Sequence, residues 1–374
     1  MTYGVIGLRR SFVAPLKKIP GRNFEVRRGI TTITPEDRRN AQEYCEKQLQ
    51  NGDNDAYLIR RFLPRSALPA YDALRTLNLE LARLPETVSN PTIVKLRMQF
   101  WRDTLKNVFD GNPPREPISI MLDSSVRELK EKHGLANVNS FKFWLLRYIN
   151  TRERHMENKP FVSLAALEDY SENTYATLMY MTLASMGLQS VHMDHLASHI
   201  GKAYGIVTTL RGIPILAAPS QPIKGPSGTQ LGNTRSPALL LPLDVMAEAG
   251  LREEDVFRNG PRAEGLQDAV FQVATRAHDH LITAREMLKH LRSGQAPSHD
   301  YEHDGEAEHS YSKEARSLEG AEADINQGFN VLVEAVAAQD YLTRLEKANF
   351  DPFAVQHSWK LPMHLWRAAS KKQI

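Results

Sequence analysis

The sequence predicts an all-α protein, and three observations carry that expectation. Apolar residues recur at three- and four-residue steps through most of the chain. Breaks rich in Pro, Gly and Asn divide those stretches at short intervals. Almost nothing alternates with the period of two that a half-buried strand requires. The chain has 374 residues, 41% hydrophobic and 24% charged, enough for a sizeable buried core.

A first helix is expected over 36–50, opening near Pro35-Glu36-Asp37. Thr34 can cap it, and the acids suit the positive end of the helix dipole. Asn51-Gly52-Asp53-Asn54 breaks it, and a second helix over about 54–63 stops at Leu63-Pro64. From Arg65 to Leu84, the residues Leu68, Tyr71, Leu74, Leu77, Leu81 and Leu84 form one helical stripe, which Pro85 is expected to end. Residues 91–110 read as amphipathic, with Leu96, Phe100, Leu105, Val108 and Phe109 inward, stopped by Gly111-Asn112-Pro113-Pro114. Further helices fit 117–133, 139–158, 163–187, 189–217, 244–250, 265–291 and 315–348. Short turns make consecutive helices antiparallel neighbours.

His195 to Ala218 is the stretch around which the rest is organised. It reads as a buried helix, and from His195 through Leu243 there is no Asp or Glu. Two segments interrupt the helical pattern. Pro219 to Pro237, with clustered Pro, Gly, Ser and Thr, reads as a flexible loop. Ser293 to Ser312 is polar and acidic and carries His299, His303 and His309. It reads as a disordered surface insertion, a His-rich metal tract being the alternative.

The net charge of +3 is unevenly placed. Residues 1–35 hold Arg9, Arg10, Lys17, Lys18, Arg22, Arg27 and Arg28 against Glu25. Taking that surplus of six from +3 leaves −3 for residues 36–374. A slightly acidic body argues against a nucleic-acid binder. The basic, Ser- and Thr-dotted front end has the composition of a mitochondrial transit peptide, against the plainer reading of a basic tail. The lone Cys45 excludes an internal disulfide framework and a cysteine-rich zinc site. No stretch reaches the ~18 apolar residues of a spanning helix.

Several constellations have both a functional and a plain reading. His192, His195 and His199 share one helix face; they are metal ligands or a hydrogen-bonded polar face. Met179, Tyr180, Met181 and Met186 are core filler or the wall of an apolar cavity. Arg211, amid Val207, Leu210, Ile213 and Ile215, requires either an ion pair with a remote carboxylate or an anion in a pocket. Leu361 to Ile374, with His364, Trp366, Arg367, Lys371 and Lys372, is a basic amphipathic interfacial helix or packs back on the domain. There is no Gly-rich phosphate loop, no Ser–His–Asp arrangement and no pair of carboxylates on a pocket helix.

Seven short segments in one order carry a resemblance. They are Asn54 to Pro64 with Leu74-Arg75; Phe100-Trp101-Arg102-Asp103 with Phe109-Asp110-Gly111-Asn112-Pro113; and Leu167-Glu168-Asp169-Tyr170 through Gly187. They continue with Ile200 to Arg211; Leu241-Pro242 with Gly250-Leu251; Ala274 to Ala284; and Tyr341-Leu342 with Phe350-Asp351-Pro352-Phe353. Together they resemble the squalene/phytoene synthase family over most of the chain after residue 40. The resemblance implies an isoprenoid-synthase-like helical bundle around a central cavity. Active members condense two prenyl diphosphates and hold Mg²⁺ with two Asp-rich motifs that face each other.

The positions matching the first motif, R-x-x-D-D-x-x-D, read Arg75-Thr76-Leu77-Asn78-Leu79-Glu80-Leu81-Ala82. Glu80, two residues beyond Asn78, points to roughly the opposite helix face. The second motif, N-x-x-R-D-x-x-x-D, is matched by Thr208 to Leu216, with Arg211 kept, no aspartate, and Pro214 expected to kink or end the helix. Hard cations require carboxylate oxygens. The resemblance therefore implies a helical cup without metal or other cofactor and without catalytic residues. It is similar to a non-catalytic, mitochondrial branch of the family that assists assembly of respiratory complex I on the matrix side of the inner membrane. Tyr170-Ser171-Glu172-Asn173-Thr174 and His195 to Arg211 carry the likeness to that branch. Arg75, Asn78, Tyr204, Thr208 and Arg211 are the expected lining of the cavity. The competing expectations are an active prenyl-diphosphate transferase and a carrier with an isoprenoid or lipid in the cavity.

Overall fold

Residues 33–88, 90–218, 236–296, 318 and 320–374 are described by a computed structural model. The expected transit segment, apart from its last residues, and most of both expected insertions lie outside the described residues. Among the described residues the regular structure is helical, with no strand.

Local chemistry accounts for the front of the chain. Helix α1 (Pro35–Gly52) opens on a reciprocal cap. The Asp37 amide donates to Thr34 Oγ1 at 3.1 Å, and the Thr34 amide donates to Asp37 Oδ2 at 2.9 Å. Asp53 starts α2 (Asn54–Ile59) by accepting from the Ala56 amide at 3.0 Å. Helix α3 (Leu68–Thr87) buries Tyr71, Leu74, Leu77, Leu81 and Leu84, with Leu68 half-buried. It runs two residues past Pro85, contrary to expectation. Proline deletes one backbone hydrogen bond but does not remove the buried stripe that holds the helix in place. Thr87 Oγ1 then donates to the Arg83 carbonyl at 3.0 Å in the last turn.

Helix α4 (Pro91–Phe109) corrects the expected facing. Its buried residues are Met98, Trp101, Thr104, Leu105 and Val108, whereas Leu96 is 64% and Phe100 42% exposed. The periodicity is helical either way; Trp101, one residue on, takes the inward position and rotates the stripe. Helices α5 (Pro117–His133) and α6 (Leu135–Arg154) follow, the first with the expected bounds.

The expected helix over 163–187 is α7 (Leu164–Ser171), a π turn (Glu172–Ala176) and α8 (Thr177–Ser185). Buried Glu172 in that turn accepts from the Tyr180 hydroxyl, and from Ser198 Oγ at 2.6 Å. Met179, Tyr180, Met181 and Met186 are all buried.

Helix α9 (Val191–Leu216) runs through the middle of the bundle, packed by α7, the π turn, α8, α12, α13 and α14. Gly201 and Gly205 permit its close approach to the neighbouring chain. A β-carbon on Gly201 would lie 2.2 Å from Ala176 Cα, and one on Gly205 would lie 2.5 Å from Ser171 Cβ. Pro214 does not stop α9, which continues to Leu216. The remaining helices are α10 (Leu243–Glu248), α11 (Glu253–Asn259), α12 (Leu266–Arg292), α13 (Ala321–Leu332), α14 (Glu334–Lys347) and α15 (Leu361–Lys371). The expected helix over 315–348 is thus divided at Val333, where α13 passes into α14. No described helix is long and apolar enough to cross a membrane.

Candidate functional site

The helices that carry the two motif-like segments, α3 and α9, are held together by a buried ionic cluster. Arg75 on α3 pairs with Glu334, the first residue of α14; both side chains are almost wholly out of solvent. Burial works against the charge on Arg75, and the Glu334 carboxylate, together with the oxygens of Tyr71, Tyr204 and Asp53, more than offsets it, so the guanidinium stays protonated. Burial pushes the Glu334 carboxyl upward, opposed by Arg75.

Arg211 on α9 pairs with Asp55 on α2 and donates to the Ala337 carbonyl at 3.1 Å. Tyr204 lies between the arginines, with Arg75 Cζ 5.5 Å and Arg211 Cζ 5.8 Å from its ring centre. Its hydroxyl donates to Asp55 Oδ2 at 3.4 Å. Three of the five expected lining residues, Arg75, Tyr204 and Arg211, therefore meet in one place.

Asn78 and Thr208 face a different feature. Asn78 Oδ1 accepts from the Tyr148 hydroxyl at 3.0 Å and from Arg152. Arg152, on α6, also donates to the hydroxyls of Tyr148 and Tyr170. It is buried, and those two hydroxyls and the Asn78 amide oxygen hold its guanidinium. Burial opposes its charge, but the phenolic oxygens of Tyr148, Tyr170 and Tyr175 outweigh that and hold the pKa above its ordinary value. Arg152, Tyr170, Tyr175, His155 and Thr208 line a cleft of about 170 Å³ between α3, α6, α7 and α9. That is below the ~300–1,000 Å³ of ordinary small-molecule pockets and suits a head group rather than a long chain. None of Met179, Tyr180, Met181 or Met186 lines it.

The donor set does not fit a magnesium–diphosphate site. Asp55 and Glu334 each face an arginine, and Glu80 turns toward α4, where Arg97 lies 3.9 Å away. No three His, Cys, Asp or Glu side chains among the described residues gather as metal ligands. His199 on the central helix bonds His280 instead, Nδ1 to Nδ1 at 3.0 Å. His280 Nε2 bonds Glu168 Oε1 at 2.7 Å, and Arg276 Nε donates to the same oxygen at 2.7 Å.

Sequence reasoning missed Asp55, Arg152 and Glu334. Glu334 carried a signal, as a lone acid inside the apolar run Val331 to Ala338. Asp55 follows the helix break, at the start of the short second helix, where nothing local marks it as a partner for an arginine. Arg152 stands among other charged residues and nothing local marks it as buried.

The profile of the family described as squalene/phytoene synthase matches residues 49–298. The chain belongs to the squalene/phytoene synthase family. Within that family it is similar, over nearly its whole length, to curated proteins named NADH dehydrogenase (ubiquinone) complex I, assembly factor 6. The rat protein is 32% identical over 361 residues, covering 96% of this chain and 90% of the relative. The human protein is 29% identical over 362 residues, covering 96% and 90%. The Drosophila melanogaster homolog is 33% identical over 250 residues, covering 66% and 67%. Two family structures share the fold at 12% identity. They are squalene synthase HpnC from Alicyclobacillus acidocaldarius (TM-score 0.57, covering 87% of this chain and 100% of that one) and a dehydrosqualene synthase with ligand (TM-score 0.59, covering 90% and 98%).

Proposed function

We propose that this member of the squalene/phytoene synthase family is a non-catalytic factor that assists assembly of mitochondrial respiratory complex I on the matrix side of the inner membrane. Its likeness to the rat assembly factor over 96% of the chain supports the assembly role. The observation in this molecule that carries the non-catalytic reading is the pairing of both arginines, Arg75 with Glu334 and Arg211 with Asp55. Cations already neutralised within the chain have little left to offer a diphosphate, and displacing their partners would strand buried carboxylates. The side chains at the remaining motif-like positions point the same way. Asn78, Leu79, Ala82, Gly212 and Leu216 contribute no carboxylate.

The test has two arms. In the first, the gene is deleted in its own host and assembled complex I is quantified on native gels, with the full chain restored as control. In the second, the full chain is incubated with farnesyl and geranylgeranyl diphosphate and Mg²⁺, and diphosphate release is followed. Loss of complex I without diphosphate release is the expected result. Normal complex I overturns the assembly role, and release above background overturns the non-catalytic reading in favour of a prenyl transferase.

A second reading, a carrier of a small anionic head group, is favoured by Arg152 in its cleft. A buried guanidinium held by hydroxyls and an amide retains a charge that a phosphate or carboxylate would neutralise. Mass spectrometry of gently purified protein, compared with the Arg152→Met variant, tests it. A bound acidic lipid or prenyl phosphate lost with the variant supports the carrier. A clean spectrum from both proteins removes it.

A further inference from the structure

The last helix divides its surface into three stripes. Leu361, Leu365 and Ala368 are buried and face the domain, where α15 packs on α14. Trp359, just before the helix, Met363 and Trp366 form a second stripe at steps of four and three, 80%, 58% and 64% exposed. Lys360, Arg367 and Lys371 form a third, also exposed, with His364 half-buried among them. A helix that needed only to pack on the domain requires the first stripe. The other two place large apolar side chains and cations side by side in water.

The basic stripe borders a cleft of about 670 Å³ between α14 and α15, into which α12 contributes Arg285. Arg344 and Lys347 on α14 add two more cations to its wall. The one acidic side chain lining it, Asp340, is already engaged by Arg344 Nε at 2.9 Å, Ser358 Oγ at 3.0 Å and His364 Nδ1 at 3.1 Å. Arg285, half-buried at the side of the cleft, donates to Gln339 Oε1 at 2.8 Å.

We propose that α15 and this cleft form a docking surface for an anionic phospholipid bilayer, with Trp359, Met363 and Trp366 entering the interface and the cleft taking a phosphate-bearing head group. Charge complementarity selects the occupant. The cleft has a surplus of cations on a chain whose residues 36–374 carry a net −3, so the charge is local to this face. The indole pair selects a bilayer over an acidic peptide. Trp has an apolar body and a polar N–H and is suited to the head-group layer; here Trp366 stands clear of the cleft, and Trp359, on the cleft's rim, still leaves 80% of its surface in water. Basic side chains beside it gain from the negative surface potential of such a membrane. The proposal does not depend on the assembly role.

Vesicle co-sedimentation of the full chain tests it, with phosphatidylcholine alone and mixed with phosphatidylglycerol. Tryptophan emission is read in parallel. Trp101 and Trp144 are buried, so a blue shift reports Trp359 and Trp366 leaving water. The basic residues 1–35 also attract anionic vesicles, so only binding lost with α15 variants counts. The Lys360→Glu, Arg367→Glu, Lys371→Glu triple variant is expected to lose at least about tenfold in partitioning to mixed vesicles. The Trp359→Ser, Trp366→Ser variant is expected to lose the blue shift while keeping the thermal stability of the parent. Wild-type-like binding by the charge variant, equal binding to both vesicle types, or an emission maximum that vesicles do not move overturns the proposal. A variant defect confined to a soluble acidic partner, with vesicle binding unchanged, overturns it as well.

Discussion

Arg75 and Glu334 form an ion pair that only 1% of either residue's surface exposes to water, and the pair ties α3 to the start of α14. Removing one partner strands the other charge in the core. Glu334→Gln is expected to destabilise the chain by about 3–5 kcal/mol, read from urea unfolding. The double variant Arg75→Met, Glu334→Leu is expected to recover most of that loss, because paired apolar groups need no desolvation compensation. A double variant no more stable than Glu334→Gln would show that the pair does more than neutralise itself.

Gly201 is required by backbone rather than by side chains. Its missing β-carbon would sit 2.2 Å from Ala176 Cα, so Gly201→Ala forces α9 away from the π turn. The expected cost is about 1–3 kcal/mol in chemical denaturation. Gly328 is the contrast. An added β-carbon there meets first the Met193 Cε methyl, at 2.6 Å, which can rotate aside. Gly328→Ala should therefore cost clearly less. Equal losses at both sites would refute the close-approach argument.

Glu168 governs part of the acid stability. Burial raises its pKa, but hydrogen bonds from His280 and Arg276 outweigh burial and bring it from 4.5 to about 2. Between those values the unfolded chain binds a proton that the folded chain does not. This contribution is thus fully present above about pH 4.5 and is lost as pH falls toward 2. Melting temperatures measured across that window should fall less steeply for Glu168→Gln than for the parent. Parallel curves would remove Glu168 from the explanation.

Cys45 is fully buried, and burial pushes its thiol up to about 12. At pH 8 both access and thiolate are lacking. Iodoacetamide should leave the native chain unmodified over hours and label it within minutes in denaturant, followed by intact mass. Rapid labelling of the native protein would mean that α1 opens readily from α3 and α5.

Much of the fold was legible locally. Thr34 and Asp37 announce the start of α1 by a cap that involves only three residues of separation. Leu74, Leu77 and Leu81 mark the buried face of α3 because helical spacing alone aligns them. Leu96 and Phe100 misled because a helix with apolar residues on more than one face has no unique inward direction. Which face is buried depends on what α5 and α6 present to α4. Pro85 and Pro214 misled in the other direction, since packing on both sides retained helices that local rules would have ended.

The candidate site divides in the same way. The sequence by itself determined that the molecule is helical, that α9 is its buried axis, and that Arg211 in so apolar a setting requires a partner. These follow from periodicity, burial and the cost of a lone charge, all properties of a few neighbouring residues. Only the tertiary structure decided that the partner is Asp55, 156 residues away, that Arg75 meets Glu334, and that Arg152 has tyrosines and an amide where an acid was available elsewhere. Ion pairs over such separations have no local sequence signature. They are set by which helices the whole core brings together, and one carboxylate in the chain looks much like another until packing removes water from around it.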